Sequence, residues 1–151
     1  MMPHLMKFLA TFFYIGYVPV APGTTASLMA VGLFLLLKPH TLIYVFVFLL
    51  VLAIGFGVSG SMEKLSGSKD ASCIVIDEVA GCLVAFFLLP DKGPILVTAF
   101  FLFRAFDMFK IYPVNKLESL QGSAGIMLDD LVAGVYTNVT MHISMRLAGM
   151  G

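Results

Sequence analysis

Residues 41–58 read TLIYVFVFLLVLAIGFGV, with no charged side chain among them. An α-helix needs roughly 20 apolar residues to cross a hydrocarbon layer of about 30 Å, and this run approaches that length unaided. Five further apolar runs flank it, at residues 5–18, 26–37, 74–89, 95–109 and 126–143. Short polar breaks separate them, at Pro19 and Pro22, at Lys38-Pro39, and at Pro90. Four of the runs carry charges: Lys7, Asp77-Glu78, Arg104 with Asp107, and Asp129-Asp130. None alternates with period 2, which excludes a β-barrel. Irregular backbone is tolerated in a bilayer only where protein buries it. The expected fold is therefore all-α: a multi-pass membrane helical bundle with short or partly re-entrant helices, forming a single domain over residues 1–151.

Composition agrees. Of 151 residues, 60% are hydrophobic and 12% charged, against about 45–50% and 25% in soluble domains. Mean hydropathy is +1.00. Nine basic residues balance nine acidic ones, so no basic surplus exists to hold a nucleic-acid backbone. The N-terminal run contains Lys7 and leads into Val18-Pro19-Val20-Ala21-Pro22-Gly23. That is not a small-residue cleavage site, and the segment reads as part of the mature protein. Cys73 and Cys82, on a shared helix, would face opposite ways and read as small apolar fillers. His4, His40 and His142 are scattered and lack neighbouring carboxylates, which argues against zinc.

Threading the runs back and forth across a bilayer places Asp77, Glu78, Asp107, Asp129 and Asp130 at one face. Arg104, Lys110, Thr24 and Thr25 fall at the same face. Lys64, Lys69, Lys110 and Lys116 lie in or near its loops; Lys38 and Lys92 lie opposite, with Arg146 near the C-terminus. This bias puts the acidic face in the cytoplasm.

A carboxylate inside a membrane helix costs roughly 2.5–3.5 kcal/mol on insertion scales, and five would repel one another. Two explanations compete. The acid pairs could sit at helix N-termini and favour the dipole, or they could share a divalent cation. Both pairs follow an apolar triplet and precede Ala-Gly, at Ala80-Gly81 and Ala133-Gly134. That favours the cation, with each glycine letting helix backbones approach closely. Arg104, Asp107 and Lys110, spaced i, i+3, i+6, form either a salt-bridge ladder or an acid with two phosphate-binding cations. Thr24 and Thr25 at a helix start read as an ordinary N-cap or as phosphate contacts. Gly122-Ser123-Ala124-Gly125 is either a plain turn or a loop closing over a site. All-oxygen donors point to Mg²⁺, and carboxylate-bound Mg²⁺ beside Arg and Lys suits phosphoryl chemistry on a lipid phosphate.

Four motifs then carry a resemblance: Pro22-Gly23-Thr24-x-x-Ser27, Ile74-Val75-Ile76-Asp77-Glu78-Val79-x-Gly81, Phe103-Arg104-x-Phe106-Asp107-x-x-Lys110, and Gly125-Ile126-Met127-Leu128-Asp129-Asp130-Leu131-x-Ala133-Gly134. In order and spacing, the chain resembles the phosphatidylglycerophosphatase A family of bacterial membrane lipid phosphatases, over about residues 22–138. It departs from the family pattern at Asp70-Ala71 (usually Asp-Pro), at Lys110-Ile111 (usually Lys-Pro), and in a thinned glycine-rich segment before Ile126. The resemblance implies an all-helical enzyme of the bacterial inner membrane. Its reaction is Mg²⁺-dependent removal of the terminal phosphate of phosphatidylglycerophosphate at the cytoplasmic leaflet, giving phosphatidylglycerol. The expected roles are Asp77, Glu78, Asp129 and Asp130 as metal ligands, and Asp107 as a ligand or the base positioning water. Arg104 and Lys110 would stabilise the phosphoryl charge, and Thr24 and Thr25 would contact the phosphate. One metal or two, and water or carboxylate as nucleophile, stay open. Two other readings use the same acids: a small cation or proton transporter, which needs polar groups at both membrane faces, and a structural subunit without chemistry.

Overall fold

The computed structural model describes residues 2–67 and 71–149, with Met2 and Pro3 described by their backbone alone. Lys69, counted above among the loop charges, and Asp70 lie outside the described residues. The described chain is all-helical: α1 (Met2–Ala10), α2 (Pro22–Leu37), α3 (Thr41–Ser66), α4 (Ile76–Phe86), α5 (Gly93–Phe109), α6 (Val114–Leu117) and α7 (Ser123–Leu147). Among them, α3 is the one helix long and apolar enough to cross a membrane.

The short helix α4 is the centre of the molecule. Ile76, Asp77, every residue from Val79 to Leu83, Ala85 and Phe86 are buried, as expected of a helix that is apolar nearly all round. Helices α2, α3, α5 and α7 surround it. By contrast α3 buries only Tyr44, Val51, Gly55, Ser59 and Met62. These fall on one narrow stripe, and much of the remaining apolar surface of α3 is exposed, including Leu42 at 87% and Phe46 at 67%.

At about 1.5 Å per residue, the 11 residues of α4 span only about 16 Å. Its last carbonyls therefore emerge inside the bundle, where each needs a donor. Three side chains from two other helices supply them. Tyr44 Oη donates to Leu83 O at 2.5 Å, and Asn138 Nδ2 donates to Ala85 O at 3.2 Å and Phe87 O at 2.8 Å. His142 Nε2 lies 3.3 Å from the same Phe87 carbonyl. Phe34 stacks at 5.5 Å on Phe86, and Tyr44 at 5.7 Å on Phe87, closing this end.

Several element boundaries differ from the sequence expectation. The run 5–18 is not one helix. α1 stops at Ala10, and Phe12, Phe13 and Tyr14 take left-handed backbone, with φ of 44°, 59° and 67°. Thr11 organises the break: its hydroxyl donates to Lys7 O at 2.7 Å and accepts from Tyr14 N at 3.1 Å. Gly16 then presses on the Cys73 carbonyl, where no Cβ would fit. Cys73 itself lies before α4 rather than on it, so the two cysteines share no helix. α3 continues two turns beyond Val58 to a left-handed Gly67, the usual helix stop. α2 starts at Pro22, whose fixed φ suits the first helical position. At the far end Lys38 Nζ pairs with Asp91 Oδ1 at 2.6 Å, joining the two breaks that threading put on one face. That hydrogen bond holds the exposed Asp91 carboxyl below its ordinary range.

Candidate metal centre and active site

Asp77 and Glu78 stand in the first turn of α4. There the helix dipole favours them by about 0.3–1 kcal/mol each, so the N-terminal placement weighed above holds for this pair. It does not extend to the second pair. α7 begins at Ser123, one residue after a left-handed Gly122, and Asp129 and Asp130 lie in its second turn. The Gly122–Gly125 segment is thus a helix start, held by Ser123 Oγ accepting from Gly60 N at 2.8 Å.

Helix crossing brings the acids together. One carboxylate oxygen from each of Asp77, Glu78 and Asp130 lies within 4.8 Å of the others. The crossing depends on two glycines. A Cβ at Gly81 would meet Asp130 O at 2.5 Å, and one at Gly134 would collide with Gly81 O. Each acid pair therefore carries its own close-approach glycine one turn later. Gly23, at the start of α2, fills the same role toward the third carboxylate: its Cβ would strike Glu78 Oε1. Sequence reasoning read Pro22-Gly23-Thr24 for its hydroxyls and missed the glycine. The signal was the missing side chain at a helix start.

The remaining candidates ring this trio. Asp129 Oδ1 accepts from Asp130 N at 3.0 Å, while its Oδ2 lies 3.4 Å from Lys110 Nζ. Lys110 ends α5 in left-handed backbone and turns away from the Arg104 stripe. It pairs at 2.6 Å with Glu118 Oε1, a residue the spacing argument did not single out. Arg104 Nη1 lies 2.7 Å from Asp107 Oδ2. It is not aligned to donate along that line, and it is left without an acceptor. The Asp107 carboxyl also lies close enough to that of Asp130 to interact with it. Thr24 and Thr25 are half-buried in the first turn of α2, with the Thr25 hydroxyl donating back to Ala21 O at 3.2 Å.

One deficit marks the cluster. Among the described residues, the buried side-chain polar atoms lacking a hydrogen-bond partner are Asp77 Oδ1, Glu78 Oε2, Asp130 Oδ2 and Arg104 Nη1. Leaving such groups unpaired in a core is costly. Three carboxylates this close, each with a partnerless oxygen, call for a cation, and all-oxygen donors suit a hard divalent ion such as Mg²⁺ or Ca²⁺. The Arg104 guanidinium, paired with Asp107 through one nitrogen, keeps further donors that suit an anion. The residues fit a divalent cation bound next to a phosphate.

The profile of the phosphatidylglycerophosphatase A family matches residues 8–145. The chain belongs to that family. Among its relatives, the phosphatidylglycerophosphatase A of Escherichia coli is 37% identical over 131 residues, covering 84% of this chain and 76% of the relative. The enzyme of the same name from Haemophilus influenzae is 32% identical over 137 residues, covering 88% and 84%. A Bacteroides thetaiotaomicron protein with a provisional phosphatidylinositol-3-phosphatase name is 33% identical over 150 residues, covering 93% and 94%. No solved structure matches the chain. Membership in the phosphatidylglycerophosphatase A family gives the deficit a chemical context: every partnerless atom lies in a motif that carried the resemblance.

Proposed function

We propose that this protein hydrolyses the terminal phosphate of phosphatidylglycerophosphate to give phosphatidylglycerol, with Mg²⁺ as cofactor. The observation that carries the reading is the set of partnerless oxygens on Asp77, Glu78 and Asp130, in a trio of carboxylates within 4.8 Å of one another, with the Arg104–Asp107 pair carried on the same family motifs. Asp77, Glu78 and Asp130 hold the cation. When bound, Mg²⁺ supplies Lewis acidity toward the phosphate and toward an attacking water. Arg104 receives the phosphoryl oxygens with its planar fork, and Asp107 fixes the guanidinium from behind. Asp129 and Glu118 hold Lys110 at the rim, where its charge offsets the growing negative charge on the phosphoryl group. Thr24, at the mouth of α2, completes the polar wall.

The proposed setting is the cytoplasmic membrane of a bacterium, spanned several times, with the acids at the cytoplasmic face. The apolar exposed flank of α3 supports this, as does the Lys38–Asp91 pair at the far end. The satisfied carbonyls at the end of α4 point the same way, since a helix that stops short in hydrocarbon needs such donors. A transport pathway would need polar groups along its length. Here the titratable cluster occupies one end, which favours an enzyme.

The Bacteroides relative's name supplies a second substrate reading. A phosphoinositide monophosphate is also a phosphomonoester on a glycerolipid, and the same cluster would serve it. The test is phosphate release by purified protein in detergent from each lipid, with Mg²⁺ or with EDTA, beside Asp130→Asn. Release from phosphatidylglycerophosphate that needs Mg²⁺ and vanishes in the variant is the expected result. Faster release from the phosphoinositide would move the assignment to the second lipid, and release that survives both EDTA and the variant would end the metal reading.

A further inference from the structure

Between α2 and α5 runs an apolar groove of about 230 Å³, walled by Leu28, Val31, Leu96, Val97, Phe100 and Phe101. Its helical register ties it to the phosphate site. On α2, Thr24, Leu28 and Val31 are spaced i, i+4, i+7 and share one face. On α5, Val97, Phe100, Phe101 and Arg104 are spaced i, i+3, i+4, i+7 and share another. Each wall of the groove therefore continues, one helical turn on, into a residue of the candidate site: Thr24 on one side and Arg104 on the other. The two helices run in opposite directions, since the start of α2 and the end of α5 both border the acid cluster. The result is a track that is apolar along its length and ends at the Arg104–Asp107 pair and the acid cluster.

That polarity matches the substrate of the lipid-phosphatase reading, on which this inference rests. We propose that one acyl chain of the lipid substrate lies in the α2/α5 groove and so presents the phosphate head to Arg104. A chain leaving the bilayer for this groove gains no hydrophobic driving force, because lipid tails are as apolar as the walls. The gain is alignment. A held chain confines the head group to the one approach that meets Arg104 and the acids, and positioning of this kind acts on turnover efficiency. The larger crevice of about 340 Å³ between α3, α4 and α7 lacks that continuity. It opens beside Leu83, Val84 and Phe87, beyond the Gly81 crossing, at the capped end of α4.

The test fills each space separately. Leu28→Trp and Val97→Trp obstruct the groove, and Val139→Trp obstructs the crevice. Hydrolysis is measured on dioleoyl and on dihexanoyl phosphatidylglycerophosphate. The groove variants are expected to lose about tenfold in kcat/KM on the dioleoyl lipid and to keep wild-type values on the dihexanoyl one. Val139→Trp is expected to match wild type on both. Equal losses on both chain lengths, or none on either, would overturn the proposal. A second arm needs no turnover. The chain contains no Trp, so Phe101→Trp places a single fluorophore on the groove wall. Brominated-chain phosphatidylglycerophosphate should quench it more strongly than brominated-chain phosphatidylcholine at the same mole fraction. Equal quenching would mean that the groove takes bulk lipid only, which overturns the proposal. If wild-type protein releases phosphate from neither lipid, the phosphatidylglycerophosphate assignment falls by itself, and the quenching arm still decides the groove.

Discussion

Replacing Gly81 with alanine is the most demanding test of how α4 and α7 hold the acids. The added Cβ would sit 2.5 Å from Asp130 O, 2.9 Å from Asp130 C and 3.0 Å from Phe103 Cε2. Ordinary contact begins at 3.4 Å, so the helices must part by about 0.9 Å. The first two obstacles are backbone atoms and cannot swing aside. They also belong to the residue whose carboxylate completes the trio, so Asp130 moves away from Asp77 and Glu78. Overpacking of this kind costs about 1–3 kcal/mol in stability, and a 1 Å misplacement in a catalytic constellation costs about 10²-fold in rate. The expected result for Gly81→Ala is a lowered unfolding temperature and a roughly hundredfold loss of Mg²⁺-dependent phosphate release in detergent. Gly32→Ala and Gly57→Ala are the matched controls, because a Cβ at either meets nothing within 4 Å; both should keep full activity. Wild-type activity and unfolding in Gly81→Ala would refute the close-approach argument, and with it the claim that glycine spacing builds the site.

Asp130→Asn should abolish turnover without lowering the unfolding temperature in metal-free buffer, because it relieves repulsion within the trio; a thermal scan with EDTA checks this. Adding Mg²⁺ to the wild type should raise the unfolding temperature, by the equivalent of about 2.7 kcal/mol at a hundred times the dissociation constant, and the rise should disappear in Asp130→Asn. Arg104→Lys keeps the charge and loses the fork, so kcat should fall about 10²-fold, on the scale of one transition-state donor. Asn138→Leu strands the Ala85 carbonyl and leaves Phe87 O to His142 alone, at a cost of about 1–3 kcal/mol; unfolding in detergent should show the loss, with Mg²⁺ affinity unchanged.

Much of this site is legible in the chain, and the reasons are geometric. Asp77-Glu78 and Asp129-Asp130 sit in apolar runs whose threading brings them to one end, and the paired Ala-Gly steps mark where backbones must meet. What escapes the reading is conformation that leaves no compositional trace. Phe12, Phe13 and Tyr14 look like more of an apolar helix, yet they turn into left-handed backbone, which aromatic residues rarely adopt. Lys110 keeps helical spacing with Arg104 and Asp107, but the helix ends beneath it and sends its ammonium to Asp129 and Glu118. Tyr44, Asn138 and His142 are single polar residues scattered over a hundred positions. Nothing local in the sequence says that they converge on the carbonyls of one short helix.

Those three donors have a further consequence. A helix that crosses a bilayer answers a change in lipid thickness by tilting. α4 cannot answer in that way, because both of its ends are fastened inside the protein: its start through the Val75–Ala10 hydrogen bond of 3.0 Å, its end through Tyr44, Asn138 and His142. It behaves as a strut of fixed length in a frame that can lean. On the proposed function, the depth at which a lipid head group would meet the acids is then a property of the protein, not of the surrounding membrane. Turnover should consequently stay level across bilayers whose acyl lengths would retune a site carried on a freely tilting span.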